Sequence, residues 1–200
     1  MIDPQPVVLE GHGVRLEPID RSHAPALAAA AADGELWKLW YVSTAGLAPG
    51  REETYVDAAL AAQTTGDQVV WVVRELTSGL IVGSTRFHDI IRPIDRVEIG
   101  YTFYASRWHR THVNTACKLL LLDHAFDTLG CGVVGFRVDN LNERSQNAVL
   151  ALGARRDGVL RHFQARADGS ARDVHLFSIL ASEWPGVRQH LETRLARRQS

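Results

Sequence analysis

Three stretches of the sequence combine residue types and spacings that could do chemistry. The first is WHRTHVNTACKLLLLDHAFDTLG, Trp108 to Gly130, where a polar, donor-rich run leads straight into a hydrophobic helical pattern. A helix N-terminus leaves about four backbone N–H groups unsatisfied and carries roughly half a positive charge. Such an end takes a cap or binds an anion. Arg110, Thr111, His112, Val113, Asn114 and Thr115 can form an anion cradle from backbone amides, the Arg110 guanidinium and the two threonine hydroxyls. In the alternative, Asn114 or Thr115 is the N-cap of a solvent-facing end. His109-x-x-His112 has no third ligand beside it, so no metal is expected.

The second stretch is VEIGYTFY, Val97 to Tyr104. Strand alternation puts Val97, Ile99, Tyr101 and Phe103 on one face and Glu98, Gly100 and Thr102 on the other. A carboxylate facing a cleft can take the proton of an ammonium group, directly or through water. The alternative is a salt bridge to Arg86 or another arginine. Gly100, inside a strand, marks a bulge or a close backbone approach. Amides turned outward by a bulge can stabilise a developing oxyanion. The third stretch is NERS, in which Asn142 reads as an N-cap and Ser145 sits at N3. Cys117, between apolar helix neighbours, reads as core.

These stretches need elements to position them. VRLEPI (Val14–Ile19) is a short half-buried strand, followed by an alanine-rich helix capped by Asp20 or Ser22 and ending near Ala32. Asp33 opens a helical turn, ELWKLWY, and the run Arg51 to Thr65 is an amphipathic helix. VVWVVREL and LIVGSTRF form a hairpin across Thr77-Ser78-Gly79. The polar turn HDIIRPIDR then leads to VEIGYTFY. A helix ending at Gly130 follows, then strand GVVGFRV, helix NERSQNAVLALG, and a strand pair GVLRHFQA and DVHLFSIL around Ala167-Asp168-Gly169. A terminal helix carries Val187, Leu191 and Leu195 on one face. The order defines a mixed α/β domain with an antiparallel first half, spanning residues 1–200 as one unit. No G-x-G-x-x-G follows a strand and there is no P-loop, which excludes a doubly wound nucleotide fold.

Composition narrows the function. The chain has 22 basic and 23 acidic residues, net charge −1, so no global field favours nucleic acid or an acidic membrane. No apolar run approaches the roughly 18 residues of a membrane span, and the N-terminus has no signal-peptide core. The two cysteines, Cys117 and Cys131, lack metal-ligand spacing, so a reduced, cytoplasmic protein is expected.

Taken in order, IVGSTRFHDI, VEIGYTF, RTHVNTACKLLLLDHAF, VDNLNERSQNAVLALGARRDGVLR and DVHLFSILASEW resemble the GNAT N-acetyltransferases, within them the RimJ/RimL-like branch. The resemblance implies a central, mostly antiparallel twisted sheet with helices on both faces. It implies a splay between the fourth and fifth strands, Val97–Tyr104 and Gly132–Val138, where the pantetheine arm lies. It implies acetyl-CoA as co-substrate and a small-molecule or peptide amine as acceptor. The cradle Arg110 to Thr115 would then hold the CoA pyrophosphate, joined by Phe103 and Asn142. Glu98 would act in catalysis, and the Ser145 hydroxyl would protonate the leaving thiolate. Trp37, Trp40 and Tyr41 fall where the family builds its acceptor pocket, with Arg86 and His88 as binders of an acceptor carboxylate. Each of these last five has a plainer reading as core or surface partner. The family's pyrophosphate loop reads Q/R-x-x-G-x-G/A; here His109, His112 and Asn114 stand at its Q/R and glycine positions. A homodimer through the terminal helix is a further expectation. The rivals are a non-catalytic binding module of the same fold and an acyltransferase using another acyl-CoA.

Overall fold

The computed structural model describes residues 1–39, 46–166 and 168–197. Its eight strands are β1 (Leu9–Gly11), β2 (Val14–Pro18), β3 (Val69–Glu75), β4 (Ile81–Ile91), β5 (Arg96–Tyr104), β6 (Val133–Asp139), β7 (Arg155–Ala165) and β8 (Ala171–Leu180). Its helices are α1 (Ala24–Ala32), α2 (Glu52–Thr64), α3 (Val113–Asp123), α4 (Glu143–Leu150) and α5 (Trp184–Ala196). All strands join one sheet in the order β1-β2-β3-β4-β5-β6-β8-β7. Every pairing is antiparallel except β5 with β6. That parallel ladder holds only Arg96↔Val133, Val97↔Val134 and Glu98↔Gly135. Pairing stops there although β5 continues to Tyr104 and β6 to Asp139.

These strands are the fourth and fifth of the sequence-based count. The count rises by one because Leu9–Gly11 folds back on β2 through His12 (φ 52) and Gly13 (φ 80). Two positive-φ residues give the hairpin turn that matches strand twist.

The sheet is covered on both faces. On one, α3 and α5 pack over Trp71, Phe87, Val97, Ile99, Phe136 and Phe177. On the other, α1 and α2 pack over Val70, Val72 and Phe103 through Leu27 and Val56. Strand β3 alternates Val69, Trp71 and Val73 to the first face against Val70 and Val72 to the second, so both faces are apolar. Val187, Leu191 and Leu195 of α5 are buried in this chain's own core.

Three boundaries differ from expectation. Asp20 caps a single 3-10 turn, Arg21–His23, with its carboxylate accepting the Ser22 amide at 2.7 Å; α1 begins after it, with Pro25 in its first turn. Strand β4 runs to Ile91 rather than stopping at Phe87, because Asp89 (φ 45) absorbs a bulge that lets pairing resume at Ile91↔Arg96. Helix α3 passes at His124 into a π-turn, His124–Thr128, before Gly130 (φ 72).

Candidate active site

The bulge expected at Gly100 is present, and it changes which residues share a face. Register passes from Ser84↔Phe103 to Arg86↔Gly100, one extra residue on β5, with Tyr101 at φ 51. Val97 and Ile99 stay on the α3 side, but Phe103 turns to the α1–α2 side and Tyr104 to the α3 side. Simple alternation therefore misplaces Tyr101, Thr102 and Phe103. The Thr102 hydroxyl faces α3, where it meets the Thr85 hydroxyl at 2.8 Å and the Lys118 ammonium at 2.8 Å. Lys118 is buried with neutral partners, and burial pushes its ammonium down to about 8. Nothing in the sequence reading singled it out, although a lysine within the run Ala116–Leu122 was the signal.

Glu98 is buried at the last position where β5 pairs with β6. One oxygen accepts from Arg96 at 3.0 Å and the other from Arg137 Nε at 2.7 Å. This is the salt-bridge alternative, with partners other than Arg86. Gly135 leaves room for it, since a Cβ there would lie 2.5 Å from Arg96 Nη2 and 3.0 Å from Glu98 Cγ. Arg137 also reaches the Asp89 carboxylate.

Register puts His88 opposite Glu98. The Asp89 carboxylate lies 2.5 Å from His88 Nδ1. A carboxylate can only accept from it, so Nδ1 carries the hydrogen and Nε2 keeps its lone pair. Nε2 faces Gly100: a Cβ on that residue would sit 2.2 Å from it. The Tyr101 ring stands edge-on to the imidazole at 5.1 Å. Burial holds the His88 imidazolium below the ordinary histidine range, while Asp89 and Glu98 pull the other way. A neutral imidazole thus sits at the β5 bulge, oriented by a carboxylate. His88, Asp89 and Glu98 bring ligand atoms within 4.8 Å of one another, but their carboxylates are the partners of Arg96 and Arg137, so the group is a charge-compensated network.

The start of α3 lies on the other side of the bulge. His112 is the N-cap position and makes no side-chain cap, so neither Asn114 nor Thr115 caps the helix; both lie inside it. The Thr111 hydroxyl donates to Trp108 O at 2.8 Å and accepts from the Val113 amide at 3.3 Å. Val113 and Thr115 side chains are buried, so of these two only the backbone is offered to a ligand. Among the described residues, the Asn114 and Thr115 amides have no protein acceptor. The loop's left-handed residue is Arg110 (φ 62), whereas His112 has an ordinary φ of −67. Replacing glycine at 112 and 114 therefore removes no backbone conformation this loop requires.

His109 links this loop to α4. Its Nδ1 lies 3.2 Å from Arg144 Nη1, and its Nε2 lies 2.9 Å from Tyr104 O. Arginine can only donate and a carbonyl only accept, which fixes the hydrogen on Nε2. Burial, then Arg144, lowers the His109 pKa. Asn142 caps α4 by accepting the Ser145 amide at 3.1 Å. Asn142→Ala is expected to cost ~1 kcal/mol of stability, checked by denaturant unfolding. Among the described residues the half-buried Ser145 has no protein partner for its hydroxyl. The N-termini of α3 and α4 are thus bridged, at the end of the sheet where β5 and β6 no longer pair.

The remaining expectations separate. Trp37 is half-buried against the α1–α2 core, while Trp40 and Tyr41 lie outside the described residues. Arg86 is buried, not a surface partner. Burial pushes the Cys117 thiol up to about 12, in keeping with a core residue.

The chain matches the family model for the acetyltransferase (GNAT) domain over residues 14–155. It is 26% identical over 123 residues to the uncharacterized N-acetyltransferase YoaA of Bacillus subtilis (strain 168), covering 62% of this chain and 67% of that protein. A GCN5-related N-acetyltransferase from Brucella melitensis superposes with a TM-score of 0.88 at 28% identity, over 96% of this chain and 87% of that one. Mycobacterium smegmatis RimJ, in complex with CoA-disulfide, has the same fold, with a TM-score of 0.80 at 21% identity over 96% of each chain. The chain belongs to the GNAT acetyltransferase family of acyl-CoA-dependent enzymes. An acyl-CoA donor and an amine acceptor are implied by that membership.

Proposed function

We propose that this enzyme transfers the acetyl group of acetyl-CoA to a primary amine, which attacks the thioester directly. The observation that carries this reading is the bridge between the α3 and α4 N-termini beside the ends of β5 and β6 that no longer pair with each other. Two dipole ends and the partnerless amides of Asn114 and Thr115 suit a pyrophosphate there, with Arg110, Thr111, His112, Val113, Phe103 and Asn142 as its surroundings. The RimJ complex supports the assignment, since the same fold holds a CoA compound in that protein.

The acetyl carbonyl lies at the β5 bulge, whose amides stabilise the developing oxyanion. His88 Nε2 takes the proton from the acceptor ammonium, and Asp89 keeps the imidazole in the required tautomer. Glu98 positions this pair by holding Arg137, which in turn anchors Asp89. The Ser145 hydroxyl delivers a proton to the departing thiolate. Free, buried Cys117 and Cys131 support a reducing, cytoplasmic setting. No helix among the described residues is long and apolar enough to cross a membrane.

Binding tests the cradle. At 100 times its Kd, acetyl-CoA should stabilise the protein by about 2.7 kcal/mol in thermal unfolding. Asn114→Asp puts a negative charge beside the phosphates and should weaken CoA at low salt. Unchanged affinity in that variant would place the phosphates elsewhere.

A further inference from the structure

The sheet face that carries His88 and Glu98 holds one guanidinium with no carboxylate partner among the described residues, Arg86, and another, Arg172, that shares its carboxylate with a second arginine. Arg86 is only 5% exposed. It donates to Gln68 Oε1 at 2.7 Å and to the Tyr55 hydroxyl at 2.8 Å, both neutral. Its Cζ lies 4.4 Å from the Tyr101 ring centroid, and its Nε is buried with no partner. Among the described residues no carboxylate forms an ion pair with it. A buried cation without a counter-charge is costly.

The carboxylates of this face are already committed. Glu98 serves Arg96 and Arg137, and Asp89 serves Arg137 and His88. Asp139, at the end of β6, accepts from Arg166 at 2.9 Å and 3.2 Å and from the Leu141 amide at 2.8 Å. Arg172 must share Asp139 with Arg166. Its Nε forms an ion pair with that carboxylate at 3.2 Å but no hydrogen bond, and among the described residues its terminal nitrogens make none either. Its side chain is 27% exposed; burial disfavours its charge, Asp139 favours it, and Arg166 and Arg137 oppose it again. Tyr101, the exposed residue of the bulge, turns its ring to Arg86, while Arg172 stands beside Asp139 at the end of β6.

A primary amine arrives as an ammonium, which such a face repels. We infer that the acceptor carries a carboxylate close to its amine, and that Arg172 binds this carboxylate while Arg86, behind Tyr101, supplies the supporting field. The chemistry fits a free amino acid or a peptide whose first side chain is acidic. The inference rests on the acetyl-transfer reading above.

The test is CoA thiol release from acetyl-CoA with matched amines that differ only in charge. One arm compares free amino acids with their amides, and the other compares amidated dipeptides beginning with Glu or Gln. The carboxylate member of at least one pair should exceed its neutral partner about tenfold or more in kcat/KM at low salt, the size of a charge-assisted contact. The arm that responds identifies the source. Arg172→Gln should abolish that preference and Arg172→Lys should keep part of it, with melting temperatures verifying that both fold. Equal rates within every pair, or a preference that survives Arg172→Gln, would overturn the inference while leaving acetyl transfer intact. Thiol release that none of the amines accelerates above the amine-free rate would overturn both.

Discussion

His88→Gln is expected to lower kcat/KM on the order of 10²-fold near neutral pH, the usual size of a general-base contribution. The expectation rests on geometry. Nδ1 is held at 2.5 Å from Asp89, which leaves the Nε2 lone pair directed at Gly100 in the bulge. Glutamine fills similar space but offers no comparable base. The pH profile gives the sharper readout. Burial holds the His88 pKa below the ordinary histidine range, so the acid limb of wild-type kcat/KM should fall below that range. Stability follows the same sign: the contribution of neutral His88 is present above its unfolded pKa and is lost as pH falls through the lower folded one. His88→Gln should flatten the acid limb. A variant that keeps both its rate and its limb would show that another group takes the proton.

Glu98→Gln should act mainly on the fold. Its two oxygens answer two guanidiniums in a buried site, and removing one side of a buried pair typically costs 3–5 kcal/mol, or roughly that range here. Denaturant unfolding should therefore show a large fall in stability, and any loss of rate should track displacement of Arg137 and Asp89. A variant of wild-type stability with a hundredfold lower rate would instead make Glu98 the proton acceptor.

The charge at Glu98, the bulge at Gly100 and the cap at Asn142 are legible in sequence, because each carries its own physical signature. A charge inside an apolar strand, a glycine in a strand interior and an Asn before a helical run are all local signals. The bulge at Gly100 and the cap at Asn142 follow from those signals alone. What was not legible depends on register. Once the bulge adds a residue, Thr102 and Phe103 exchange faces, and no alternation rule applied along VEIGYTFY foresees it. The partners of Glu98 come from β5 itself and from β6, some forty residues away, so sequence could offer "an arginine" but not Arg96 and Arg137. Asp89 was taken for part of a polar turn because a positive φ within a strand leaves no mark in composition. The cradle raised the opposite difficulty. His112 and Asn114 depart from the glycine pattern, yet the left-handed backbone falls on Arg110, two residues before His112.

We propose that acetyl-CoA lies across the gap where β5 and β6 cease to pair with each other, its pyrophosphate on the α3 N-terminus and its thioester at the β5 bulge. A crystal structure of the enzyme with acetyl-CoA measures this directly. Pyrophosphate oxygens are expected within hydrogen-bond reach of the Asn114 and Thr115 amides, the acetyl carbonyl on the amides of the Gly100–Thr102 bulge, and the thioester sulfur within about 6 Å of the Ser145 hydroxyl, the span of one bridging water. Acetyl-CoA bound elsewhere, or seated with its thioester away from His88 and the bulge, would contradict it.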